Sequence, residues 1–248
     1  MTKYELLSLI ISIIALVAPA VRWIYKNWIK KPILNYYPNG KVSLYFNQSG
    51  SYLRLDGVLE ALNHSASVKK MEVIVKKDDN TTHKLPWSSF FSPVTQYFAG
   101  TPLFSNTSEI AHPFKIEGDS LFCVFTEFSD DGTFGVISMY LEALAKEALE
   151  ISIHVTSYSE ALERYKNLDL YNEIKTKISR KFYWDIGKYT FTLKVSCIAF
   201  EKEFSFTGEV KQSDYDKLSR YIDEVLLLPL MDLYKQQSHI KPVIIDIK

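Results

Sequence analysis

Cysteine is scarce in this chain, two residues in 248, which excludes a disulfide-stapled scaffold and any cysteine-rich zinc module. Net charge is lacking too. The 29 Lys and Arg residues balance 29 Asp and Glu, so there is no electrostatic footprint for a phosphate backbone, and nucleic acid is not expected as a partner. Glycine and proline, nine of each, are too few for a collagen-like or low-complexity chain. The glycines stand singly, and no phosphate loop, GxSxG elbow or HExxH helix is present. Five histidines, His64, His83, His112, His154 and His239, lie far apart without metal-ligand spacing. These absences predict a protein that is not an enzyme, with no catalytic residues, no metal and no cofactor. What remains is a chain 47% hydrophobic and 14% aromatic, too apolar for disorder and long enough to bury a large core.

One apolar run stands out. From Leu6 to Val21 there are 16 uncharged residues, which as a helix rise about 24 Å, slightly less than the roughly 30 Å of a bilayer's hydrocarbon. Extension through Tyr25 brings the run to 20 residues if Arg22 snorkels. Arg22, Trp23, Tyr25, Lys26, Trp28, Lys30 and Lys31 then form a membrane-interface belt. A single-pass transmembrane helix over residues 1–25 is expected, with a basic connector over 26–40. The basic flank follows the run, which places the soluble body on the cytoplasmic side. Ala18-Pro19-Ala20 also fits a signal-peptide cleavage site, but Lys3 opposed by Glu5 makes a poor positive leader. Four Asn-x-Ser/Thr sequons, at Asn47, Asn63, Asn80 and Asn106, point the opposite way on topology.

Tyr37-Pro38-Asn39-Gly40 reads as a turn, after which the pattern becomes short runs of period two. These are Val42 to Phe46, Tyr52 to Leu62, Val68 to Lys76, Phe114 to Ile116, Leu121 to Phe128, Ile151 to Val155, Tyr189 to Phe200 and Glu203 to Val210. Leu53, Leu55, Gly57, Leu59 and Ala61 share one face of theirs, as half-buried antiparallel strands require. Asp78-Asp79-Asn80 and Asp130-Asp131-Gly132 read as turns. The fold class is mainly β, an antiparallel sandwich over 41–212 with a helical insertion near 138–180, its first helix capped by Ser138. Ser213 and Asp216 are spaced as a capping box, opening a C-terminal amphipathic helix that stops at Pro229 within the segment 213–248. Cys123 and Cys197 lie on apolar strands and read as buried, reduced thiols.

The stretch Trp184-Asp185-Ile186-Gly187-Lys188-Tyr189 resembles the Asp-x-Gly-x-Tyr corner of immunoglobulin-like domains, in which a tyrosine hydroxyl closes the turn into a late strand. The resemblance implies an immunoglobulin-like β-sandwich and no activity. Phe191 stands where antibody domains carry a cysteine, so it implies no inter-sheet disulfide.

From Leu85 to Ser108 there are 24 residues without one charge. Loops are usually shorter and more polar. Its aromatics either close an open end of the fold or form a docking surface, with Trp87, Phe90, Phe91, Tyr97 and Phe98 as anchors. The expected function is a membrane-anchored binding protein whose soluble domain recognises a protein or small ligand at the membrane surface. Membrane lipid and a second copy of the chain are further expected partners. A second expectation is a membrane-acting effector, similar in layout to small anchored effectors of bacterial antiviral systems, whose helix oligomerises to perturb the bilayer.

Overall fold

The computed structural model describes residues 3–25, 30–48, 50–98, 101–238 and 240–248, with backbone only at 3, 5–7, 9–10, 92–98, 101–107 and 131. An N-terminal helix, α1 (Lys3–Ile24), precedes strands β1 (Ile33–Asn47), β2 (Gly50–Leu62), β3 (Ala66–Lys77), β4 (Thr82–Phe98), β5 (Thr101–Ile110), β6 (Phe114–Ile116) and β7 (Ser120–Ser129). Helices α2 (Asp131–His154), α3 (Tyr158–Lys166) and α4 (Asp169–Ser179) follow. Then come β8 (Gly187–Cys197), β9 (Glu201–Val210), α5 (Gln212–Leu233) and β10 (Val243–Asp246).

All strands belong to one antiparallel sheet in the order β10-β1-β2-β7-β4-β3-β8-β9, with β5 paired to β4 and β6 to β3. The period-two apolar positions point to one side throughout: Leu34, Val42 and Leu44 on β1, Leu53, Leu55 and Leu59 on β2, Val73 and Val75 on β3, Phe191 and Val195 on β8. Such a sheet can bury that side by curling on itself. It does so almost to closure. Gly208 of β9 bridges Ile247, just past β10, and Thr207 and Lys248 exchange two backbone hydrogen bonds of 3.0 Å. The expected immunoglobulin-like sandwich of two packed sheets is thus replaced by a single, nearly barrel-shaped sheet. Alternation fixes which face is buried, not whether the facing layer is a second sheet or the same one returning.

Several local readings change for identifiable reasons. Tyr37-Pro38-Asn39-Gly40 is a bulge inside β1 rather than a turn, marked by the register shift between Pro38 and Val42 and by Gly40 at φ +80°. Asp130 is the N-cap of α2, its Oδ1 accepting from the Gly132 amide at 3.0 Å and its Oδ2 from the Thr133 hydroxyl at 2.6 Å. Ser138 therefore lies inside that helix, and 151–155 forms its end instead of a strand. Helix α5 runs through Pro229 to Leu233, because Leu226, Leu227, Leu230 and Met231 on either side of the proline are all buried.

Helices α2–α5 gather at the end of the barrel where β1, β7 and β9 finish, with α5 against β1 and β10. Phe46 meets Phe182 at 5.4 Å between ring centroids, and the fully buried Trp184 donates from Nε1 to the Tyr45 carbonyl at 2.8 Å. The barrel and its helical cap thus share one core. α1 leaves from the opposite end. Among the described residues no helix is long and apolar enough to cross a membrane. The spanning helix expected over 1–25 is therefore not found among them.

Candidate functional site

Two regions combine unusual surface chemistry with a defined position. The first is α1 and its connector. Ile11, Ile13, Ile14, Leu16, Val17, Val21 and Ile24 are all exposed, Leu16 at 79%. At 100° per residue they cover most of the helix circumference, and Ala15 and Pro19 fall in the remainder. The Ser12 hydroxyl donates back to the Ser8 carbonyl at 2.8 Å, so even this polar group is turned onto its own helix. Arg22, Trp23 and Tyr25 are exposed at the helix end, and the Lys30 ammonium lies 6.0 Å from the Tyr25 ring. Lys26 and Trp28 lie outside the described residues.

The connector is tied to the barrel by the turn between β2 and β3. His64 Nε2 donates to the Lys30 carbonyl at 2.8 Å and Asn63 Nδ2 to the Lys31 carbonyl at 3.0 Å. Asn63, at φ +71°, is itself held by its amide on Asp119 Oδ1 at 2.9 Å. The sequence marked Asn63 only as a sequon and His64 only as an isolated histidine, since their partners are backbone carbonyls 32 and 34 positions away.

The second region is the aromatic stretch, which the sequence suggested was a loop and which forms most of β4 and β5. β4 starts between β3 and β7, leaves β7 after Phe90, which stands opposite Thr126, and continues as a hairpin with β5 from Ser89↔Ile110 to Phe98↔Thr101. At the place it vacates, Trp87, Phe90, Phe114 and Phe122 pack edge to face and stacked, with centroids 4.6–5.9 Å apart, against the core. Trp87 and Phe90 are thereby half-buried and close the wall. Phe91 faces outward beneath the Arg54 guanidinium, 3.7 Å from its ring centroid. Tyr97 and Phe98 are the last residues of β4; their side chains lie outside the described residues.

Arg54 organises a further patch on the outer wall. Its Nε bonds Asp56 Oδ1 at 2.9 Å, and Glu127, directly across the ladder, accepts from the Ser89 hydroxyl at 2.8 Å. Beside it Tyr45 and Tyr52 stack at 4.4 Å. Burial holds both phenols above the usual tyrosine range. Arg54 and Asp56 are two apart on a strand, a same-face signal that was legible; that Glu127, Ser89 and Phe91 join them was not.

Other candidates fall away. Among the described residues no cluster of His, Cys, Asp or Glu could hold a metal ion. Cys123 is exposed rather than buried, because its position on β7 faces outward; Cys197 is buried, which pushes its thiol up. A groove of about 690 Å³ at the barrel seam is lined by three lysines and four carboxylates, a balance that selects no charge.

The structure thus defines a class: an antiparallel, nearly closed β-barrel with a helical cap at one end and an exposed apolar helix at the other. Comparison with protein-family models, characterised proteins and solved structures finds no match for the chain.

Proposed function

We propose that the protein is a non-enzymatic binding protein held at a membrane surface by α1, with the barrel as its recognition domain. The observation that carries this reading is the apolar surface of residues 11–25, exposed around most of the helix. A helix lying in the membrane interface buries a broad apolar face among the headgroups and upper acyl chains, and the exposed apolar side chains of 11–25 supply one. Arg22, Lys30 and Lys31 beside Trp23 and Tyr25 suit the headgroup level, and their charge suits the anionic lipid of a cytoplasmic leaflet, the side on which we place the barrel. Restriction to a surface raises the effective concentration of the barrel for membrane partners. The recognition surface is the outer wall where Arg54, Phe91, Tyr45 and Tyr52 meet, a guanidinium and rings suited to a protein or small planar ligand.

The test is flotation of the full chain with vesicles of phosphatidylcholine and phosphatidylserine, comparing wild type with the double substitution Ile14→Asp, Val17→Asp. Each substitution exchanges a membrane-buried apolar side chain for a charge that anionic lipid repels, at a cost of about 1.5–3 kcal/mol for the lost apolar burial alone, so two reduce membrane partitioning by roughly a hundredfold or more. Both positions are exposed, so the thermal transition of the barrel is expected to stay where it is. Flotation of the variant as efficient as that of wild type overturns the reading.

A further inference from the structure

We infer that the outer face of α2 is a docking surface for a second copy of the chain, paired antiparallel about a two-fold axis level with Leu144; this does not depend on the role proposed for α1. Helix α2 carries two stripes. Ile137, Leu144 and Ala148 are fully buried in the core that α2 shares with α5. On the other side Gly135, Met139, Glu142, Lys146, Leu149 and Ile153 are all exposed, Ile153 at 71%. They follow one another at alternating steps of four and three residues, the heptad spacing of a coiled-coil seam, over about 27 Å of helix. Met139, Leu149 and Ile153 thus lie in one line, unlike the singly scattered apolar side chains of an ordinary surface.

The stripe is self-complementary, as a two-fold interface requires. Met139 and Leu149 stand equally far before and after Leu144, as do Glu142 and Lys146, and Gly135 and Ile153. In an antiparallel pair Met139 therefore meets Leu149 of the second copy, Glu142 meets Lys146, and Ile153 meets Gly135. The charges select this orientation. A parallel pair in register sets Glu142 on Glu142 and Lys146 on Lys146, whereas the antiparallel pair makes two ion pairs at its centre. Both charges are available for it. Glu160 with Arg164 on α3 and Glu173 with Lys177 on α4 close ion pairs at the same four-residue spacing, but among the described residues Glu142 and Lys146 do not.

Gly135 is an independent observation. Glycine weakens a helix interior, and an added Cβ there would meet nothing within 4 Å, so no packing in its own chain calls for it. Opposite Ile153 of a second copy it supplies the hole for that knob. The adjacent row, Ser138, Ala145 and Ser152, is also small, which lets the second backbone approach.

Sedimentation equilibrium of the full chain in a density-matched detergent, which covers α1, tests this. The wild type is expected to dimerise as its concentration rises. Glu142→Lys or Lys146→Glu alone places like charges in both central layers and should raise the dissociation constant roughly tenfold or more. Mixing the two single variants, or combining both substitutions in one chain, brings opposite charges together again and should restore the dimer. Both positions are exposed, so the melting temperature is expected to stay where it is. A wild type that stays monomeric at every concentration overturns the proposal. A dimer that either single substitution leaves unchanged assigns association to another surface, such as α1, and overturns it too. Loss of the dimer in both single variants without recovery on mixing rules out the antiparallel register.

Discussion

Tyr189 shows how much one side chain can settle locally. Its hydroxyl accepts from the Asp185 amide and donates to the Asp185 carbonyl, both at 2.8 Å, closing the turn into β8. The Lys77 ammonium at 2.8 Å holds the Asp185 carboxyl below its usual range. Gly187, at φ +145°, lies so close to Lys77 Cε that a Cβ would meet it at 3.1 Å. The corner that the sequence resembled is present, yet the fold that usually carries it is not, because the motif fixes a turn and not what packs opposite. Gly57 is a second case. Tyr36 crosses the inside of the barrel above it, and a Cβ there would stand 2.5 Å from the phenol oxygen. Alternation identified Gly57 as inward-facing; only the tertiary contact gives the reason for a glycine.

His83 belongs to the same scale. Its ring stacks on Tyr183 at 4.0 Å, and burial pulls its pKa below the usual value of about 6.5. The unfolded chain therefore binds this proton first. The stability contributed by neutral His83 is fully present above about pH 6.5 and is lost as pH falls toward the lowered folded value. Acidification below pH 6.5 is expected to lower the melting temperature, and His83→Phe, which keeps a stacked ring, should make that slope shallower. Equal slopes for both proteins rule out His83 as the cause.

At the scale of elements, β10 is the part with the greatest effect for its length. It pairs with β1 through Lys41↔Asp246 to Leu44↔Val243, and the two residues after it reach β9. Gly208 makes this approach possible: an added Cβ would lie 3.1 Å from Ile245 Cδ1 and 3.2 Å from the Asp246 carbonyl. Gly208→Val is expected to push β10 off β9 at a cost of roughly 1–3 kcal/mol. Hydrogen exchange reads it directly. The Lys248 amide, bonded to Thr207, should exchange faster, while the Ile247 amide, bonded to Gly40 of β1, should change little. Slow exchange at both would show that the seam tolerates the side chain. In the sequence 243–248 was only the tail of a helical segment, since four strand residues cannot be told from coil without a partner.

On the scale of the whole molecule, the barrel and the helical cap are joined by Phe46 on Phe182, Trp184 on Tyr45 and α5 on β1. One core predicts one transition: far-UV circular dichroism and tryptophan fluorescence should report the same melting temperature. Trp184→Ala, at a cost of about 3–5 kcal/mol, should lower both together. Separate melting of the helices would contradict a shared core.

The candidate site was legible in part for a related reason. Leu6 to Val21 and Leu85 to Ser108 were conspicuous as uncharged runs, but that the second builds β4 and β5 follows from strand pairing, which no local pattern encodes. The sequence by itself determined that the chain is mainly β, which face of each period-two strand is apolar and where the uncharged segments fall, because these depend on side-chain period and composition over a few residues. Only the tertiary structure decided that the sheet nearly closes on itself, that Arg54 meets Phe91 and Glu127, and that β10 reaches β9. Each of these is a pairing between segments distant in the chain, selected by the free energy of one shared core.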